Sequence, residues 1–222
     1  MTPLLRKPVS TALFALLGLV SASAQAALVE HDLTSANDGL LIFDSLTQRE
    51  WVDVTHTTNM SVNQFLTSSI YAGKGFHLGT TADITQFFLN AGASAVNANG
   101  NFNPVSASYA AAVLLNDLME HQIPWLDSSG NPWVHGYEDY GNGTSLTIAR
   151  FAVGEAIGRT TGTATFDTGT NGTNWSRDTT HGAVGIFAWR DAAGQVPEPA
   201  SLALVSIALL GAFAVGRKRA PR

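Results

Sequence analysis

The sequence predicts a single α+β domain held between two hydrophobic chain ends, and three observations carry that expectation. Residues Asp38 to Thr55 combine an Asp-Gly turn signal, the apolar run Leu40 to Phe43 and the alternating Glu50-Trp51-Val52-Asp53-Val54, a hairpin pattern of period two. From Ser61 to His121, apolar residues recur at helical spacing behind capping residues. After Pro124, turn-rich stretches separate short alternating runs, which makes the second half rich in loops and strands.

In the opening hairpin Trp51 shares a face with Asp53, and Val52 shares the other with Val54, so one of the two faces is not purely solvent-exposed. Ser61 caps a short helix through Ser69, with Val62, Phe65 and Leu66 on one side. A brief strand around Phe76 to Leu78 lies between Gly73 and Gly79. Thr80 or Thr81 then caps a helix to Asn90 that turns Ile84, Phe87 and Phe88 inward and stops at Gly92. The small, polar run Ala93 to Asn103 reads as loop. A third helix is expected over Ser106 to His121, with an apolar stripe of Tyr109, Val113, Leu114, Leu118 and Met119. Turns follow at Ser128 to Pro132 and at Tyr140 to Gly143. Strands are expected at Ser145 to Val153, around Ala164 to Phe166, and as one continuous strand over Ala183 to Arg190. No repeat of solenoid period is visible.

The ends have their own logic. Arg6 and Lys7, the hydrophobic run Thr11 to Val20, and the small residues Ala24 and Ala26 form a signal-peptide layout over residues 1–26, with signal peptidase cutting after Ala26. At the other end an apolar run from Ala200 to Gly216 precedes Arg217, Lys218 and Arg219. As a transmembrane helix it would cover about 25 Å, enough for a thin hydrocarbon core, and the basic cluster would stay in the cytoplasm. The chain thus divides into a signal peptide (1–26), an exported α+β domain (27–195) and a tail (196–222). The precursor would be anchored in the inner membrane, and its product would reach the cell surface or the exterior.

The exported domain holds 16 Asp plus Glu against 6 Lys plus Arg, a net charge of −10, which argues against nucleic acid as a partner. The chain has no cysteine, so thiolate nucleophiles, redox pairs and cysteine zinc sites are excluded.

Val196-Pro197-Glu198-Pro199, the apolar run and the basic end, in that order, resemble the PEP-CTERM sorting signal of exosortase substrates. The resemblance implies an exosortase-type enzyme as partner, a tail cut near Pro197-Glu198-Pro199 during transfer outward, and an association with exopolysaccharide and biofilm. The prolines flanking Glu198 keep the segment extended for such an enzyme. A second, looser resemblance rests on DGLLIFDSLTQREWVDV, GKGFHLGTTADITQFFLNAG and HGAVGIFAWRD. These are similar to domains upstream of PEP-CTERM tails and, through them, to bacterial domains of C-type-lectin-like fold, which implies that the first and last strands pair. The cysteines and the Glu-Pro-Asn or Gln-Pro-Asp calcium loop of animal C-type lectins are missing, and lectin activity does not follow from fold alone.

Chemistry-bearing motifs are sparse. The histidines are His31, His56, His77, His121, His135 and His181; no two stand at i, i+4, and HExxH and GxSxG are absent. Asp117 and His121 are at i, i+4 and read as polar neighbours on a helix face. No catalytic, metal-binding or cofactor-binding residue is assigned, and no cofactor is expected. The ligand candidate is Trp125, Asp127, Trp133, Tyr137, Glu138 and Asp139, read as a loop whose rings could stack on sugars and whose carboxylates could accept hydroxyl bonds or hold calcium. The alternative is that the tryptophans pin a long loop to the core. The Thr/Gly-rich run from Arg159 to Thr180 reads as a flexible β loop open to O-linked sugars. Together these point to an exported surface or extracellular-matrix protein without enzymatic activity. The rival readings are a carbohydrate-binding module and a secreted glycan-active hydrolase.

Overall fold

In the computed structural model, which describes residues 28–98, 105–119, 133–141, 145–155 and 162–192, the opening hairpin forms as expected. Strand β2 (Leu41–Asp44) pairs antiparallel with β3 (Arg49–Val52), Leu41 opposite Val52 and Phe43 opposite Glu50. An additional strand, β1 (Leu28–His31), lines the free edge of β2. The turn between them is closed by two carboxylates. Asp38 accepts from the amides of Leu33, Thr34 and Ser35, and Asp32 accepts from those of Asn37 and Asp38.

Two helices start where local chemistry dictates. Helix α1 (Val62–Thr67) and helix α2 (Thr81–Asn90) each open on a full capping box, Ser61 with Gln64 and Thr80 with Asp83, which satisfies amides that a helix start leaves free. At the end of α2, Ala93 N–H reaches the Phe88 carbonyl and Gly92 N–H that of Leu89, with Gly92 at φ +100. That bonding pattern needs a left-handed residue, hence glycine.

The third helix differs from expectation. A 3-10 turn at Ser106–Ser108 leads into α3 (Tyr109–Leu118), which buries Tyr109, Ala111, Ala112, Leu115 and Asn116. Leu114 stays exposed and Val113 and Leu118 are half-buried, so the stripe is rotated toward the alanines, which let the helix axis approach the sheet. His121 lies outside the described residues.

The strands β4 (His77–Leu78), β5 (Asn97–Ala98), β6 (Trp133–Asp139), β7 (Leu146–Glu155), β8 (Gly162–Trp175), β9 (Gly185–Ile186) and β10 (Ala188–Asp191) complete two five-stranded sheets. The first has the order β1-β2-β3-β10-β4, the second β5-β8-β7-β6-β9. Three expectations are corrected here. Residues 133–139, read as loop, form β6, because alternate residues bury into two different cores. The Thr/Gly-rich run is not a flexible loop over 162–175 but the long strand β8, whose Ala164, Thr165, Phe166, Asp167 and Thr168 are all buried. The continuous strand over Ala183 to Arg190 is two strands in different sheets. At Phe187 the amide donates to the Tyr137 carbonyl of β6, while the carbonyl accepts from Gly79 beside β4. Gly185 passes so close to the Val54 carbonyl that a Cβ would overlap it.

Two cores flank these sheets. In one, α2 is wedged between them: Phe87 stacks on Trp51 at 4.6 Å, and Phe88 meets Phe151, Phe166 and Phe187 at 5.0–6.0 Å between ring centres. The other gathers Leu41, Val52, Val62, Phe65, Tyr71, Tyr137, Leu146 and Ile186 on the far faces. No helix among the described residues is long and apolar enough to cross a membrane, and the expected span Ala200 to Gly216 lies outside them.

Candidate functional site

Burial of both sheets forces their charged side chains to find partners, and three clusters result. On the first sheet, Glu50 of β3 is buried and binds with both oxygens: His31 Nδ1 at 2.9 Å and Arg190 Nε at 2.7 Å. Aromatic rings back both partners, with His31 stacked on Phe43 at 5.0 Å and the Arg190 guanidinium 5.1 Å from the Phe76 ring centre. On the opposite face of that sheet, Arg49 bonds Asp83 at 2.8 Å and lies 3.6 Å over the Trp189 ring. Burial alone would raise the Asp83 carboxyl. The bonds from Thr80 and the Arg49 guanidinium outweigh it and hold the group below the usual carboxylate range.

On the second sheet His135, Arg150 and Asp167 stand side by side on adjacent strands. Arg150 Nε donates to Asp167 at 3.0 Å, its guanidinium lies 4.8 Å from the Trp133 ring centre, and Trp133 stacks on His135. Burial, then the charges of Arg150 and His181, push the His135 imidazole down to about 4, so it is neutral at pH 7. Burial also raises Asp167, against the pull of Arg150 and Asn97. Across β6, Glu138 is fully buried and accepts from the Thr147 hydroxyl at 2.8 Å and from the Gly169 amide. Burial raises its carboxyl more than these bonds lower it.

Of the residues expected to form one ligand surface, Trp133, Tyr137 and Asp139 share one face of β6 and Glu138 lies on the other. Trp125 and Asp127 lie outside the described residues, as do Ala24, Ala26, Val196, Pro197, Glu198 and Pro199. Tyr137 and Glu138 are adjacent in a strand, so they point to opposite faces, and both are buried. Trp133 is buried against Arg150. Asp139 is half-buried, with its carboxylate accepting from the Gly141 amide at 2.8 Å, and beside it Tyr140 is 57 % exposed. Tyr137 Oη and Trp175 Nε1, with rings 6.0 Å apart, are buried without a hydrogen-bond partner among the described residues.

The nearest approach to a hydrolytic arrangement is Asp53, fully buried, with His56 Nε2 at 3.6 Å. The hydroxyls flanking that histidine are engaged elsewhere: Thr55 donates to Asp53, and Thr57 donates to the Val54 carbonyl while accepting from the Ile186 amide. Among the described residues no group of three or more His, Cys, Asp or Glu side chains could hold a metal ion. The Glu50–Arg190 pair escaped sequence reasoning, although a trace of it was present. Arg49-Glu50-Trp51 and Trp189-Arg190-Asp191 are complementary when laid antiparallel, charge against charge and Trp against Trp, which is the register the structure adopts.

Beyond β10, residues 195–219 match the family model described as the PEP-CTERM protein-sorting motif. No curated protein and no solved structure matches the chain, so the C-type-lectin-like resemblance gains no support from them.

Proposed function

We propose, from the premise that residues 195–219 mark an exosortase-sorted surface protein, that this chain is a non-enzymatic component of the cell surface or extracellular matrix, associated with exopolysaccharide in biofilm. Its signal peptide is removed after Ala26, its precursor is held in the inner membrane by residues 200–216, and an exosortase-type enzyme cuts near Pro197-Glu198-Pro199. The observation that carries this reading is the sorting segment itself, which begins four residues after β10 ends at Asp191. The domain fits a structural role: Glu50 and Asp167, buried in its sheets, are each paired with an arginine, Glu138 is bonded to a hydroxyl and an amide, and the Asp53–His56 pair has its neighbouring hydroxyls engaged.

The test is deletion of residues 196–222 with the signal peptide kept, followed by cell fractionation. Loss of surface display with accumulation in the periplasm is expected; unchanged display overturns the sorting role. A carbohydrate-binding reading is favoured by one observation, the exposed ring of Tyr140 beside the Asp139 carboxylate. Titration of the exported domain with the producer's exopolysaccharide decides it, heat that Tyr140→Ala abolishes being the positive result.

A further inference from the structure

The first sheet aligns one row of residues across four strands. Leu28 of β1 lies opposite Asp44 of β2, Asp44 opposite Arg49 of β3, and Arg49 opposite Asp191 of β10. Neighbouring strands are about 4.8 Å apart, so about 15 Å separates the first of these residues from the last. Leu28 begins β1 and Asp191 ends β10. The chain therefore enters and leaves the domain at the same end of one sheet. Ala192 is still held there, its amide N–H donating to the Gln48 carbonyl at 3.0 Å. The turn between β2 and β3, at that same end, exposes Leu46, and the start of β1 exposes Val29.

We propose that this end of the first sheet faces the lipid bilayer in the precursor, with the membrane surface as its partner until the tail is cut. The inference rests on reading Ala200 to Gly216 as a membrane span. Only residues 192–199 separate Asp191 from that run, and fully extended they reach about 30 Å. A 169-residue domain has a radius of gyration of about 15 Å, hence a diameter of about 40 Å. Leading the tether around to the opposite side takes about 60 Å, twice its reach. The far end of the sheet, at the Asp32 to Gly39 turn, is thus kept away from the bilayer. While the signal peptide is attached, its hydrophobic run ends at Val20, eight residues before Leu28. That supplies a second short tether about 15 Å from the first, and two tethers at one end suppress the tumbling that one allows.

Because the chain has no cysteine, single thiols report position cleanly. Full-length precursor carrying Leu46→Cys at the near end, or Ala36→Cys on the exposed far turn, is labelled with an environment-sensitive fluorophore. It is then reconstituted in phosphatidylethanolamine–phosphatidylglycerol vesicles containing a headgroup spin-labelled lipid. Quenching at position 46 is expected to exceed that at position 36 several-fold, and a 20-residue Gly/Ser insertion after Ala192 is expected to bring the two within a factor of two. Val29→Cys reads the near end from a second strand should Leu46→Cys disturb the turn. Equal quenching at both ends in a precursor that resists alkaline extraction overturns the orientation and leaves the sorting role standing. A precursor extracted by alkali overturns the membrane span and the orientation with it.

Discussion

Glu50 in the first sheet and Glu138 in the second are both buried strand glutamates, and the protein treats them differently. Glu50 sits between two partners, the His31 imidazole at 2.9 Å and the Arg190 guanidinium at 2.7 Å. Glu138 has no cation among its described bonds; a hydroxyl and an amide face it, and its carboxyl is raised by burial. An ion pair of this kind adds little over an apolar pair, yet breaking one leaves a buried charge uncompensated. A lone buried carboxyl has the opposite character, since it loses stability when it ionises and regains it when protonated. Glu50 is therefore sensitive to the loss of its partners, Glu138 to pH.

The largest effect is expected from Arg190→Met, which strips Glu50 of its strongest partner. A loss of about 3 kcal/mol in urea denaturation at pH 7 is the expected cost of leaving that charge half-paired. The double variant Glu50→Gln/Arg190→Met should recover most of it. A loss below about 1 kcal/mol for the single variant would show that His31 alone compensates Glu50 and that the contrast between the two glutamates is false.

Next in size is the acid response of His135. Its imidazole is pushed down to about 4 from the usual 6.5, so the unfolded chain binds its proton first as pH falls. The stability it contributes is present above pH 6.5 and is lost as pH drops toward 4, by up to about 3 kcal/mol. Stability measured across that window should fall in the native protein and fall less in His135→Gln; parallel curves would remove His135 as the cause.

The smallest effect sharpens the comparison with the opposite sign. The Glu138 carboxyl is raised, so what it contributes is present below its usual 4.5 and is lost as pH rises through its folded value. Glu138→Gln is expected to gain about 1 kcal/mol at pH 8 and nothing at pH 4.5. Equal gains at both pH values would mean that hydrogen bonding rather than ionisation is what changed.

Features governed by neighbouring residues were legible in the sequence. The helix caps, read at Ser61 and at Thr80 or Thr81 and formed at Ser61 and Thr80, the stop at Gly92 and the alternation of the opening hairpin each lie within a few residues. In the α3 stripe Tyr109 and Met119 are buried as expected and Leu114 is not, while Ala111 and Ala112 were missed because alanines carry no periodic signal until a sheet packs on them. Residues 133–139 looked like a loop since their aromatics and acids belong to a strand buried on both faces, where alternation of polarity disappears. The candidate site was least legible: Tyr137 and Glu138 are one residue apart in the chain and on opposite sides of a sheet.

By itself the sequence determined the class of the fold, its helix starts and the sorting segment, which Val196-Pro197-Glu198-Pro199, the apolar run and the basic end spell out in order, since all of these are written in contiguous residues. Only the tertiary structure decided that Ala183 to Arg190 splits at Phe187 between two sheets and that Arg190 answers Glu50. It alone put Leu28 and Asp191 at one end of the same sheet. Those facts join positions up to 163 residues apart, and they are selected by the joint burial of two cores and the pairing of charges that burial would otherwise strand.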